Sequence, residues 1–268
     1  TVNTASLHGT YSGVYAWDGS QFVLYNQTSD DINYIAPGEG FFVASADGGA
    51  NVTFTEDMQT SARGLNFNAQ NVARGGTSIS NKRVSILELE LSDSANKQRD
   101  FTKLYFSNED KLTKGLDPGY DGGKFYLGTD KSSIFTRLLE EDEGIDIQIQ
   151  AIPYSEINEL VIPLGIKSKS SSLQVSIKEN SIDDFYKIYF EDRLKNTIVE
   201  FDKTIDLEFG SNENSLGRFF LHFTNGFFPE LPTDGDLRIF KVSEDEIKLM
   251  GDYNTNYKAQ IFDFTGRL

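Results

Sequence analysis

The alternation of apolar and polar residues between positions 173 and 223 narrows the fold more than any other feature. Leu173, Val175 and Ile177 alternate with Gln174, Ser176 and Lys178. Tyr186 to Phe190 form a second run, closed by Glu191-Asp192. Ile205, Leu207 and Phe209 alternate with Asp206 and Glu208. Phe219, Leu221 and Phe223 fall on one face, and Arg218, Phe220 and His222 on the other. Side chains of a strand point to opposite sheet faces in turn, so a period of two means one buried and one wetter face. Turn-forming Ser, Asn and Gly residues separate the runs. The spacing predicts a meander forming half of a sandwich.

The same signals recur along the chain. Gly13 to Trp17 and Phe22 to Tyr25 flank Asp18-Gly19, a hairpin dipeptide. Val84 to Leu91 reads as a strand whose phase slips between Ile86 and Leu87, which predicts a bulge; Phe101 to Phe106 is its expected partner. Ile145, Ile147 and Ile149 alternate with polar residues, and Glu140 to Glu143 read as an acidic turn or one helical turn. No helical periodicity of ten or more residues appears. The expected fold is all-β, with antiparallel, jelly-roll-like β-sandwich domains in tandem. Residues 1–60 are read as the C-terminal part of a β-domain and 61–81 as a linker. A central β-sandwich is expected over 82–228, and the start of a small C-terminal sandwich over 229–268.

Composition removes several function classes. The formal net charge is −16, which argues against nucleic-acid partners and anionic membrane surfaces. The absence of cysteine excludes disulfides, thiolate metal sites and cysteine nucleophiles. No apolar run approaches the roughly 18–20 residues that span a bilayer. The chain opens at Thr1 without a signal peptide, so a fragment or processed product is expected.

Chemistry is sparse. His8 and His222 are distant in sequence and lack a pattern of carboxylate partners. The most pointed feature is the loop Gly115 to Gly123. Asp117 and Asp121 are candidate calcium ligands there, since calcium takes oxygens and glycines let carbonyls turn inward; the competing reading has both side chains capping backbone turns. No other cofactor is indicated. A glycosidase would need two carboxylates facing one cleft, which no spacing displays. Trp17 reads as a core aromatic.

Several motifs occur in a familiar order. They are Ile35 to Val43 (IAPGEGFFV), Asp117-Pro118-Gly119-Tyr120-Asp121 with Lys124, and Ile162 to Gly165. Tyr189-Phe190-Glu191-Asp192, Arg218 to Phe223 and Gln260 to Leu268 follow. Together they resemble the C-terminal region of surface proteins exported by the bacterial type IX secretion system, ending in the late strand of a type A sorting domain. The resemblance implies that Phe262, Asp263 and Gly266 belong to the sorting motif. It also implies the translocon and its shuttle as partners, and an extracellular or outer-membrane surface location. Asp93-Ser94-Ala95 matches the short O-glycosylation acceptor pattern of such bacteria. The expected function is a non-catalytic stalk and export region of a larger protein. The alternative is a carbohydrate-binding or adhesin module, marked by exposed aromatics such as Trp17, Tyr120 or Tyr189; a glycoside hydrolase accessory domain ranks below it.

Overall fold

A computed structural model describes residues 7–17, 22–27, 33–35, 38, 40–59, 65–66, 84–126, 131–209, 213–226, 238–242, 246–250, 260, 262 and 267. Its architecture is all-β: one large curled sheet carries two smaller sheets on its outer side. The N-terminal strands are β1 (Val14–Trp17), β2 (Phe22–Tyr25), β3 (Asn33–Tyr34), β4 (Phe41–Phe42) and β5 (Leu65–Asn66). β6 (Val84–Asp93), β7 (Gln98–Ser107), β8 (Gly122–Gly123), β9 (Ser133–Thr136), β10 (Ile147–Pro153), β11 (Leu160–Ser168) and β12 (Ser172–Asn180) follow. β13 (Lys187–Asp192), β14 (Thr197–Glu200), β15 (Thr204–Glu208), β16 (Glu213–Asn214) and β17 (Phe219–Thr224) complete the large sheet. β18 (Arg238–Lys241) and β19 (Ile247–Met250) form a C-terminal hairpin.

The large sheet runs in the order β14-β13-β17-β11-β9-β10-β7-β6-β12-β15, with β8 and β16 pairing off the path. All four alternating runs of the 173–223 region are strands, but they do not form the expected meander. β12 pairs with β15, and β13 pairs with β17. After β12 the chain stays on β6 for one more residue, with Ser181 N–H donating to Ile86 O at 2.9 Å, before it leads to β13. Alternation fixes which face a residue takes, not which strand lies beside it. The pairing is also not wholly antiparallel, because β10 runs parallel to β7 and β3 parallel to β5.

One core lines the concave side. Leu87, Leu89 and Leu91 meet Leu104, Phe106, Ile134, Ile152, Ile162, Leu164, Ile166, Leu173, Val175, Ile188, Phe190, Leu207, Phe219, Leu221 and Phe223, all buried. The convex side is buried in two places. Ile86, Tyr105, Ile149 and Ala151 pack beneath Tyr15, Phe22 and Leu24 of the β2-β1-β4 sheet. Phe135, Leu216 and Phe220 pack beneath Phe240 of the C-terminal hairpin.

This double burial corrects the bulge expected at Ile86. β6 and β7 keep an unbroken register from Val84 to Asp93. Ile86 and Leu87 are both apolar because each face is covered there. The register shift falls instead on the partner strand, between Ile177 and Glu179 of β12. A second shift lies between Ile147 and Ile149 of β10. Such irregularities bend a strand and increase its twist.

Two glycines carry the seam under the N-terminal sheet. A Cβ on Gly122 would sit 1.9 Å from Leu24 Cδ2, and one on Gly123 would sit 2.7 Å from Tyr11 Cε1. Gly123 N–H also donates to Thr10 O at 2.8 Å, and Tyr15 OH donates to Gly123 O at 2.9 Å. These glycines admit an overlying layer. Gly122→Ala is therefore expected to cost about 1–3 kcal/mol by overpacking. Adding Leu24→Ala should recover part of that loss. Urea titration of the two single variants and the double variant measures the coupling, which should be compensatory in sign.

Candidate functional site

The polar side chains gather at seams between strands and layers. The Asp117–Asp121 loop is the first. Asp117 Oδ2 accepts from Thr113 N–H at 2.7 Å and Oδ1 from Thr113 Oγ1 at 3.0 Å. Asp121 Oδ2 accepts from Asp117 N–H at 2.7 Å and Oδ1 from Ala151 N–H at 2.7 Å. All four carboxylate oxygens are thus engaged by protein donors, which a cation would have to displace. The loop holds the N-terminal strands: Gly119 N–H donates to Ser12 Oγ at 2.5 Å, Asn26 Nδ2 to Tyr120 O at 2.5 Å and Gln27 N–H to Gly119 O at 2.8 Å. Lys124, also buried, pairs with Asp100 at 2.7 Å.

The second seam joins β13, β15 and β17. Arg218 holds Asp192 in a bidentate pair, Nε to Oδ1 at 2.9 Å and Nη2 to Oδ2 at 2.8 Å, and reaches Glu208 O at 3.3 Å. Beside it, His222 Nε2 and Glu191 Oε2 share a hydrogen bond of 2.8 Å. Glu191 also accepts from Arg193 Nε at 2.9 Å, and the Arg193 guanidinium lies 3.9 Å over the Phe220 ring. Burial alone would raise the Glu191 carboxyl, but His222 and Arg193 hold it below its ordinary value. No local spacing signals this partner for His222. Glu191 lies opposite Phe220 and Tyr189 opposite His222, a diagonal contact across strands. His222 does lie on the face opposite Leu221 and Phe223, as alternation requires. His8 sits elsewhere, 3.8 Å from Asp47.

A third seam carries the C-terminal hairpin. Arg137 is 1% exposed. It binds Asp142 through Nε at 3.1 Å and Nη2 at 3.0 Å, approaches Asp146 at 3.4 Å, and donates to Lys241 O at 2.5 Å. Lys167 and the Tyr126 hydroxyl both bond Asp146. The acidic segment around Asp142 is a turn rather than a helical one, with Glu141 at φ 52 and Gly144 at φ 90.

A fourth seam surrounds Asp93, which is 1% exposed. Its carboxylate accepts from Ser170 Oγ at 2.6 Å, Ser132 Oγ at 2.7 Å and Asn96 Nδ2 at 3.0 Å. Burial would raise this group, yet those bonds outweigh it and hold it at about 2. Ser94, next to it, lies exposed in the β6–β7 turn.

The aromatic expectations separate. Tyr189 is buried and Tyr120 half-buried, but Trp17 is 37% exposed, not a core residue. Its ring lies at the margin of the seam under the N-terminal sheet. Of the sorting-motif residues, Phe262 is exposed, while Asp263 and Gly266 lie outside the described residues. Among the described residues, no cluster of three or more His, Cys, Asp or Glu side chains could hold a metal ion. Likewise, no helix there is long and apolar enough to cross a membrane.

These features define an all-β protein whose buried charges tie strand to strand and layer to layer. The chain belongs to a family described as a domain of unknown function, DUF8693, whose model matches residues 3–223. That match takes in the N-terminal sheet and the large sheet to the penultimate residue of β17. No curated protein and no solved structure matches.

Desolvation, opposed by the Ala151 and Asp117 N–H donors and helped by the Asp117 charge, raises Asp121 from 3.8 to about 7. The native state then holds a proton that the unfolded chain has lost, so stability falls as pH rises from about 4 to 7. The loss is on the order of 4 kcal/mol at most. Asp93 works oppositely: its contribution is present above pH 4 and disappears as pH falls toward 2. Denaturant midpoints should therefore peak near pH 4–5, and Asp121→Asn should flatten the limb between pH 4 and 7. For the second seam, Arg218→Ala leaves Asp192 buried without its cation and should cost about 3–5 kcal/mol. Adding Asp192→Asn should then be far less than additive in a double-mutant cycle.

Proposed function

We propose that this chain is a non-catalytic scaffold, the stalk and export region of a larger secreted or cell-surface bacterial protein. The observation that carries this reading is the commitment of the buried ionisable side chains to seams. Asp93, Asp121, Arg137, Glu191, Asp192 and Arg218 each bond to a neighbouring strand, turn or layer. Such groups hold a shape under load.

The resemblance to proteins exported by the type IX system adds the destination. Its motif residues Asp117, Asp121, Lys124, Glu191, Asp192, Arg218 and His222 coincide with the first two seams. In this reading they build a rigid body ahead of a C-terminal sorting segment. The tandem jelly-roll-like arrangement belongs to the same proposal, with the β18–β19 hairpin as the first strands of the sorting sandwich. The translocon and its shuttle are the partners, and the cell surface or medium is the destination.

The test is export in a bacterium that has the type IX system. The full-length protein should reach the surface or medium. The combined Phe262→Ala, Asp263→Ala and Gly266→Ala variant should accumulate in the periplasm, with unchanged abundance in the cell. Equal export of the two proteins would remove the sorting assignment.

A further inference from the structure

Trp17, Phe42 and Phe125 stand together at an open margin of the seam between the N-terminal sheet and the large sheet. Trp17 pairs with Phe22, and Tyr15 pairs with both Leu24 and Phe42. Cross-strand partners and alternate residues share a face, so these four rings and Leu24 look toward the large sheet. Tyr15, Phe22 and Leu24 are covered by it. Trp17 and Phe42 extend past the cover, at 37% and 55% exposure, and Phe42 meets Phe125, which is 40% exposed.

The buried Phe22 ring is the floor of this margin. It lies 5.3 Å from Phe42 at 87° and 4.9 Å from Phe125 at 89°. Phe42 and Phe125 are within 29° of parallel, with centroids 6.2 Å apart. Trp17 meets Phe22 from another side at 5.3 Å. Rings wedged this way lose little freedom when a partner arrives, which lowers the cost of binding. Contiguous exposed aromatics of this kind mark interaction surfaces.

The charge at the margin selects the partner. Lys131 Nζ lies 5.4 Å over the Trp17 ring, and among the described residues it has no carboxylate in ion-pair range. A purely apolar partner would bury that ammonium without a counter-charge, which is costly. A densely anionic polymer would be repelled by the chain's net charge of −16. A sugar chain with occasional carboxylates satisfies both limits. Its flat C–H faces suit the rings, its hydroxyls stay in water, and one carboxylate meets Lys131. We propose that the Trp17–Phe42–Phe125 surface binds an oligosaccharide of this sparsely carboxylated class, with Lys131 as the anion contact. This gives the scaffold a ligand-binding role that its stalk function does not require.

Calorimetric titration with a partly methyl-esterified oligogalacturonate and its fully esterified counterpart tests the proposal. The carboxylated probe should bind more tightly, and added salt should erase the difference. Phe42→Ala should weaken both probes about tenfold, while Phe42→Trp should retain binding. Lys131→Gln should bring the carboxylated probe down to the affinity of the neutral one. Melting temperatures of the variants, expected to match that of the parent, separate lost contact from lost folding. Absence of binding at millimolar probe overturns the proposal. So does equal affinity for the two probes, or affinity that none of these variants changes.

Discussion

The large sheet depends on holding its own two ends together. β14 and β15 are the terminal strands of the hydrogen-bonded path, yet only residues 201–203 separate them in sequence. A link of that length spans about 14 Å at full stretch. The sheet must therefore curl until its first and last strands are neighbours in space. Phe201 N–H donates to Ile188 O and Ile177 N–H to Lys203 O, both at 2.8 Å, so the link is stitched to each side. Arg218 adds a second clasp, gripping Asp192 at the end of β13 and Glu208 O at the end of β15. Closure also limits the open strand edges, the hazard of any large sheet.

Curling gives the sheet a concave face that fills itself and a convex face that needs other cover. The concave face draws its core from strands far apart in sequence, so no single hairpin of it could bury its apolar side alone. The convex face is covered by short sheets, each fastened by polar side chains as well as rings. Arg137 under the hairpin and the Asp117–Asp121 loop under the N-terminal strands do equivalent work. In each case a buried group reaches a backbone atom of the overlying segment or of the loop that grips it.

The strands were legible because alternation records burial directly. Leu87, Leu89 and Leu91, or Phe219, Leu221 and Phe223, could be assigned to a common face from sequence alone. Neighbours could not, because the pattern of β12 is equally compatible with β13 or β15 beside it. The slip at Ile86–Leu87 was visible, but a sheet covered on both sides produces the same signature as a bulge. The seams were hidden for another reason. Glu191 and His222, or Arg137 and Lys241, are joined only by folding, and neither pair has a local spacing to betray it. Trp17 was misplaced because a lone tryptophan in a strand belongs to the core unless its sheet outruns its cover, a fact of layer size rather than of sequence.

Asp93 and Asp121 show why burial by itself says little about a carboxylate. Both are almost fully enclosed, and they move in opposite directions. Three side chains, all free to orient toward the anion, surround Asp93. Asp121 has two backbone donors and a second carboxylate nearby, so desolvation prevails. The donor set at Asp93 comes from three separate turns, which the charged form draws together. Asp121 sits where the loop beneath the N-terminal strands meets β10; its two backbone donors favour the charged form but do not offset the loss of solvent. The same residue type is thus held charged in one seam and kept protonated up to about pH 7 in another, and the count and placement of donors decides which.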